Sequence, residues 1–423
     1  MELLKYFFLL LPLSLSNIGF VSSFRITFAD IWVFMLITFV LCIRRKLQIS
    51  NFLVYSILFF MLLYIISIFN IILVEDLHIN KVVLNCFKMI FYTFIILTFP
   101  ILIQQDKLKT VFKSLLLIIV FHSVVFIVDA IIGLPFSMEG HMIVFDGSFG
   151  PDYRPNGLFG EPSFFGIYTI MYLGIIMQFE INSKTKIIKL WHVILICIAL
   201  FLIKSVTCYL AFLFLMTYYS YKNFTYKIVL FTGCVIFLMS ISSFVEIDIR
   251  GFDNKEKETF LNANFIGKIF HTFGYFKERF SNFLTNNDGS SHQRVLGSFL
   301  YVLKVIEERP ILGSGLGGDN LSLIFKNKNF YSLDYLVNNN FLLIPVTYST
   351  STFYSHLIGA GGILSLLFFY FVILGQILLN KETLFYGIIL LLLGFSSGGF
   401  LDLQTWVCFA FCVVLQKKIK TKI

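Results

Sequence analysis

The amino-acid sequence predicts an all-α integral membrane protein, a polytopic bundle of about twelve transmembrane helices with a long, partly helical outer loop between spans nine and ten. Three observations carry this expectation. The 423 residues are 58% hydrophobic and only 13% charged, whereas soluble domains run about half apolar and about a quarter charged. The apolar residues, 53 of them Phe, gather into runs close to the roughly 20 residues that a membrane span needs. The Lys and Arg behind the net charge of +9 sit mainly in short loops between those runs, where they act as topology signals. The basic balance therefore points to a membrane, not to nucleic acid. Attraction to anionic lipid headgroups is a second use of the same charge.

The spans are expected near 5–22, 27–43, 52–74, 82–103, 111–134, 161–180, 188–203, 206–221, 227–245, 350–379, 384–399 and 402–416. The first has no small-residue cleavage site after its apolar core, so it reads as a retained span and not a leader. The seventh and eighth are short and separated only by Lys204 and Ser205. A tight helical hairpin and one broken span both fit. Basic residues recur in every second loop: Arg44-Arg45-Lys46, Lys107 and Lys109, Lys184 with Lys186 and Lys189, Lys222 and Lys227, Lys381, and Lys417-Lys418. The positive-inside rule then puts both termini in the cytoplasm. The chain divides into a membrane region over 1–245, a long outer loop over 246–349, and a second membrane region with a basic tail over 350–423.

Two polar segments fall on the outer side, 135–160 and 246–349. A structureless loop as long as the second would be unusual. Apolar residues recur at helical spacing from Phe260 to Leu284, which predicts an amphipathic helix suited to the membrane surface. A second helical run covers His292 to Glu308, stops at Pro310, and gives way to the turn cluster Gly313-Ser314-Gly315-Leu316-Gly317-Gly318. This cluster lacks the lysine of a phosphate loop. All seven cysteines lie in apolar runs, so no disulfide framework, no metal site and no cofactor is expected.

The stretch from Arg154 to Gly166 places one cation, one carboxylate, three glycines and two prolines within thirteen residues, at the start of an apolar run. Pro162 suits the first turn of a helix, where its missing N–H would be unpaired anyway. Glu161 then sits where the helix dipole favours a carboxylate. Two readings follow. Glu161 is a cap and Arg154 a surface cation, or both face a cavity where Glu161 acts as general base on a hydroxyl and Arg154 binds phosphate. Arg294 opens the second loop helix, at an end where positive charge is disfavoured. It reads as a solvated helix start or as a functional cation. Lys204 reads as a snorkelling lysine or as a further phosphate-binding cation. His356 lies at the start of span ten, where ionisable residues are functional candidates. A satisfied structural histidine is the other reading, and the nearby Gly359-Ala360-Gly361-Gly362 can serve close helix packing. Asp129, His122 and Lys88 lie within apolar runs. As a proton or ion path they would suit a transporter, but they are scattered.

The chain resembles the O-antigen polymerase family (Wzy type) and the related O-antigen ligases. The run Arg154-Pro155-Asn156-Gly157-Leu158-Phe159-Gly160-Glu161-Pro162-Ser163 is similar to the polymerases' Arg-x-x-Gly-x-x-x-Glu-Pro-Ser element. Arg294, with Glu308-Arg309-Pro310-Ile311-Leu312-Gly313-Ser314-Gly315-Leu316-Gly317, is similar to an outer-loop element shared by both families. The run from Gly359 to Gly362 resembles their glycine-rich start of a late span. Ligases carry a His-Asn or His-Ser pair upstream of that span. Counting back from Gly362 lands on Ser351-Thr352, with His356 out of register. The ligases' Ser-Arg turn has no counterpart arginine at Lys204-Ser205. Both departures favour a polymerase.

The resemblance implies a glycosyltransferase of the bacterial inner membrane, with its active site and long loop on the periplasmic side. Donor and acceptor would be oligosaccharide repeat units on polyprenyl diphosphate, polymerised into O-antigen or capsular polysaccharide. Implied partners are membrane lipids, a chain-length regulator and a flippase. Arg154, Arg294 and Lys204 would hold the diphosphate without a metal, and Glu161 would be the general base, with His356 the runner-up. The alternatives are a ligase that moves finished glycan to a lipid acceptor, and a flippase for the same lipid-linked sugar. Transporters usually show internal repeats and matching broken helices, whereas this chain has one large asymmetric loop.

Overall fold

The computed structural model describes residues 17–21, 24–27, 34–35, 37–38, 42, 50–73, 79–103, 107–132, 137–139, 142–144, 157–159, 162–203, 206–223, 297–316, 352–394 and 403–420. They are predominantly helical. Among them, five helices are long and apolar enough to cross a membrane: Asn51–Ile72, Val82–Leu102, Leu108–Ile131, Ser163–Ser183 and Phe353–Leu378. These coincide with five of the expected spans. The expected span at 227–245 and the amphipathic run from Phe260 to Leu284 lie outside the described residues.

Two short hairpins interrupt the all-helical expectation. Strand β1 (Asn17–Val21) pairs with β2 (Phe24–Thr27). The end of the first expected span, up to residue 22, and the start of the second, at residue 27, are therefore extended. Asn17 and Gly19 are poor helix formers, and Ile18, Phe20 and Val21 favour a pleated surface. In the first outer segment, β3 (Ser137–Glu139) pairs antiparallel with β4 (Met142–Val144), Met138 opposite Ile143.

The chain separates into two compact units, one of Met1–Gly19, Ile26–Trp32 and Asp106–Leu284, the other of Phe20–Arg25, Val33–Gln105 and Thr285–Ile423. We number the helices α1 (Asn51–Leu73), α2 (Ile79–Leu102), α3 (Leu108–Ile132), α4 (Pro162–Ser183), α5 (Leu190–Leu202), α6 (Val206–Asn223) and α7 (Ser298–Glu308). Next come α8 (Phe353–Phe368), which continues through a π-helical stretch Phe369–Leu374 into α9 (Gly375–Leu378), then α10 (Leu384–Gly394) and α11 (Leu403–Lys420).

In the first unit α3 packs on α5 and α4, and α4 packs on α6. Helix α4 begins at Pro162, where the missing N–H is harmless. Helices α5 and α6 are two helices, bridged by the Tyr209 hydroxyl, which donates to the Phe201 carbonyl. At 13 residues, α5 is about 20 Å long, shorter than a full span. Glu180 is 4% exposed and fastens the connection that follows α4. One of its oxygens accepts from the Ile187 and Ile188 amides, the latter at 2.7 Å, and the other accepts from the Tyr219 hydroxyl. The C-terminal end of α6 carries Tyr218 and Tyr221, with the Lys222 ammonium 5.8 and 5.6 Å from their ring centres. Such an aromatic and basic end suits a membrane–water boundary.

In the second unit α2 packs on α11 and α1, and α1 also packs on α8. Its core is aromatic. Trp406 lies 4.6 Å from Phe60 and 5.2 Å from Phe409, ring centre to ring centre, and Phe99 meets Phe411 edge-on at 5.8 Å. Lipid tails are as apolar as these rings, so shape complementarity and dispersion hold the contacts more than water exclusion does. Several hydroxyls inside the helices are satisfied locally. Ser56, Ser67, Thr93, Thr98, Ser123 and Thr217 each donate to a carbonyl one turn earlier, as hydroxyls in apolar helices do.

Candidate functional site

The first of two polar centres lies in the unit that holds α3 and α4. Asp129 sits near the end of α3, buried among apolar neighbours. Its Oδ2 accepts a 2.8 Å hydrogen bond from the backbone N–H of Gly157. A buried carboxylate is tolerated only with such partners. Gly157 has φ of +57°, and a Cβ there would lie 3.3 Å from Phe126. Two residues on, Phe159 is buried beside His122, Tyr168 and Phe165, with ring centres 5.7, 5.4 and 5.3 Å away. Phe126 stacks on Phe165 at 4.7 Å. His122, Phe126 and Asp129 recur at helical spacing along one face of α3. Together they receive the turn Gly157-Leu158-Phe159 that runs into α4. Two residues that the sequence left scattered thus share one role, as a seat for Gly157 and Phe159. Arg154 and Glu161 themselves lie outside the described residues, as does Lys204.

The second centre is in the other unit, where α7 and the turn after it meet α1, α2 and α8. Helix α8 is broken in its middle. Gly361 has φ −145° and ψ 18°, and Gly362 has φ 61° and ψ −158°, a combination essentially restricted to glycine. A break inside an apolar helix frees backbone groups that lipid cannot satisfy. Here the turn Pro310–Leu316 satisfies them. The Ile363 amide donates to the Pro310 carbonyl at 2.8 Å. The Gly359 carbonyl accepts from the Ser314 amide at 2.7 Å and from the Ser314 hydroxyl at 2.9 Å. Gly313, at φ +58°, comes so close that a Cβ would lie 2.6 Å from the Gly359 oxygen and the Gly362 nitrogen.

The far side of the same turn is fixed to α1 and α2. The Leu316 amide donates to Ser67 Oγ at 3.0 Å, and Asn85 on α2 donates to the Leu316 carbonyl. Ser67 lies six residues before Leu73, the end of α1, or about 9 Å along the helix axis. The described part of the glycine cluster, Gly313–Leu316, is therefore a turn, as expected, but a docked one. Beside it, Arg309 donates through Nη1 to Asn70 Oδ1 on α1. Asn70 is 2% exposed and its Nδ2 donates to the Ile66 carbonyl at 3.0 Å.

Helix α7 presents Tyr301 and Val305 to Ile358 of α8 and leaves Phe299, Leu303 and Ile306 exposed. Lys304 pairs with Glu307 at 2.8 Å and Glu308 at 3.3 Å. The hydrogen bond to Glu307 raises the Lys304 pKa above its ordinary value, helped by Glu308 and opposed by partial burial. His356 occupies the first turn of α8, half-buried. Its amide donates to the Thr352 carbonyl at 3.1 Å. Thr352 is the N-cap and accepts from the Ser355 amide. Arg294 lies outside the described residues.

Sequence reasoning therefore missed Arg309, Asn70 and Ser67 in this centre and Glu180 in the other unit. Arg309 had a local signal, since it stands directly before Pro310 in the glycine-rich element. Asn70 and Ser67 had none, because one polar residue in an apolar run usually bonds its own helix.

These features define a polytopic helical membrane protein whose apolar helices hold the turns Gly157–Phe159 and Pro310–Leu316. No protein-family model, no characterised protein and no solved structure matches the chain.

Proposed function

We propose that this protein is a membrane glycosyltransferase of the O-antigen polymerase type, which joins oligosaccharide repeat units carried on polyprenyl diphosphate. The acceptor hydroxyl attacks the anomeric carbon of the donor. The new C–O glycosidic bond forms as the bond from that carbon to the diphosphate oxygen breaks. Glu161 takes the hydroxyl proton, and polyprenyl diphosphate departs against Arg154, Arg294 and Lys204. Charge that develops on a leaving diphosphate is stabilised most by donors already held in place, and arginine matches phosphate oxygens in pairs.

The observation that supports the reading is that the described residues of both elements behind the resemblance are held by hydrogen bonds to apolar helices. Gly157, within the first element, donates its amide to buried Asp129, and the Pro310–Leu316 turn of the second is anchored to Gly359 and Ser67. A solvated linker needs neither anchor. A lipid-linked substrate does need polar groups held at membrane depth.

A deletion strain tests this. Loss of a polymerase leaves surface glycan with one repeat unit. Loss of a ligase leaves none on the final acceptor, and loss of a flippase leaves repeat units inside the cell. Normal long chains in the deletion strain would sink the proposal. Arg154→Ala and Arg294→Ala are expected to abolish long chains while the protein still accumulates in the membrane. Full activity in both would overturn the cation assignment, and an active Glu161→Gln would make that carboxylate a cap.

A further inference from the structure

We infer that Arg309, braced by Asn70, is a phosphate-binding cation at the membrane boundary. Its backbone is fixed on both sides. The Arg309 amide donates to Val305 at 2.8 Å, and its carbonyl accepts from Gly313 at 3.0 Å. The next residue, Pro310, accepts from Ile363 of the broken helix. Arg309 is half-buried, and its guanidinium is held through Nη1 by Asn70, whose own amide is tied to Ile66. A guanidinium has five N–H donors in a rigid fork, so one anchored nitrogen leaves most of the fork to a ligand.

No carboxylate among the described residues neutralises this cation. The two nearest in sequence, Glu307 and Glu308, are paired with Lys304 instead. A partly desolvated charge without a counter-ion is costly, and near a membrane such charges mark substrate paths. The chemistry that answers a fixed guanidinium fork is a phosphate group, which it binds through two parallel hydrogen bonds. The surroundings specify what carries the phosphate. Phe299, Leu303 and Ile306 are exposed on α7, and Ile311 and Leu312 are exposed just after Arg309. A phosphate with an apolar tail fits this arrangement. That it is the donor's diphosphate rests on the polymerase reading, whereas the cation site does not.

The test uses the full-length protein in phosphatidylcholine nanodiscs and radiolabelled farnesyl diphosphate as probe. Saturable binding is expected, competed by inorganic diphosphate and not by farnesol. Arg309→Gln should bind at least about tenfold more weakly, because a charge-assisted pair is lost. Asn70→Ala keeps the charge, frees the fork and should bind more weakly than wild type. Binding of Arg309→Gln at wild-type affinity would overturn the inference. If that variant fails to accumulate, Arg309→Lys decides. It keeps the charge without the fork, and wild-type affinity there would also overturn it. Competition by phosphatidylglycerol in the nanodisc would make the ligand a bilayer headgroup and remove the substrate assignment. Arg309-dependent binding together with normal long chains in the deletion strain would leave the site standing and the polymerase reading false.

Discussion

Replacing Gly362 by Ala should undock the Pro310–Leu316 turn from α8. Two costs add at this position. The backbone, at φ 61° and ψ −158°, lies where a residue with a Cβ is strained by about 1–3 kcal/mol. The new methyl would also lie 2.4 Å from the Ile311 oxygen and 2.6 Å from the Pro310 oxygen. Both are backbone atoms that no rotamer change can move aside, and such crowding costs about 1–3 kcal/mol. If the turn withdraws to relieve the clash, the bonds from Ile363 to Pro310 and from Ser314 to Gly359 are lost, at about 1 kcal/mol each. The loss is about 2–6 kcal/mol by the first route and about 3–5 kcal/mol by the second, a large share of an ordinary folding free energy of about 5–15 kcal/mol. Unfolding in mixed micelles titrated with a denaturing detergent measures it. Gly375→Ala is the control, since Gly375 has φ −56° and a Cβ there would meet only the Tyr370 oxygen, at 3.4 Å. It should change stability by less than about 1 kcal/mol. If Gly362→Ala is no less stable than Gly375→Ala, the turn is not docked as described.

Asp129→Ala strands the buried Gly157 amide and should cost about 1–3 kcal/mol. Asp129→Asn keeps an acceptor and should stay close to wild type in the same unfolding measurement. Under the polymerase reading, the alanine variant should also shorten surface glycan chains on a gel while the asparagine variant does not. Glu180→Ala removes the acceptor of two amides and the Tyr219 hydroxyl. It should destabilise by about 2–4 kcal/mol and expose the connection between α4 and α5 to protease. Equal protease resistance in wild type and variant would contradict the role given to Glu180.

The sequence made the helices readable where an apolar run meets a breaker. Pro162 marks the start of α4, Lys381 marks the turn between α9 and α10, and the run 52–74 is α1 almost residue for residue. It failed where apolar character and helicity part company, as at Asn17–Val21, which is hydrophobic enough for a span but pairs as a strand. The candidate site was legible as chemistry and not as geometry. Gly313–Gly315 and Gly359–Gly362 each read as local features, a turn and a packing surface. Nothing periodic links Ser314 to Gly359, 45 positions away. The bond from the Gly157 amide to Asp129, across 28 positions, was hidden in the same way. A lone carboxylate in an apolar run announces that it needs a partner, but not which one.

The most direct measurement of the central claim is reconstitution. The purified protein would be placed in liposomes with lipid-linked repeat units and no other enzyme, and the products resolved by length. A polymerase is expected to give a ladder of glycans extending beyond two units, with polyprenyl diphosphate released in step with each bond. The ladder should be absent with Arg154→Ala or Arg294→Ala. Repeat units that remain single with the folded wild-type protein, or that cross the bilayer without being joined, would contradict the claim.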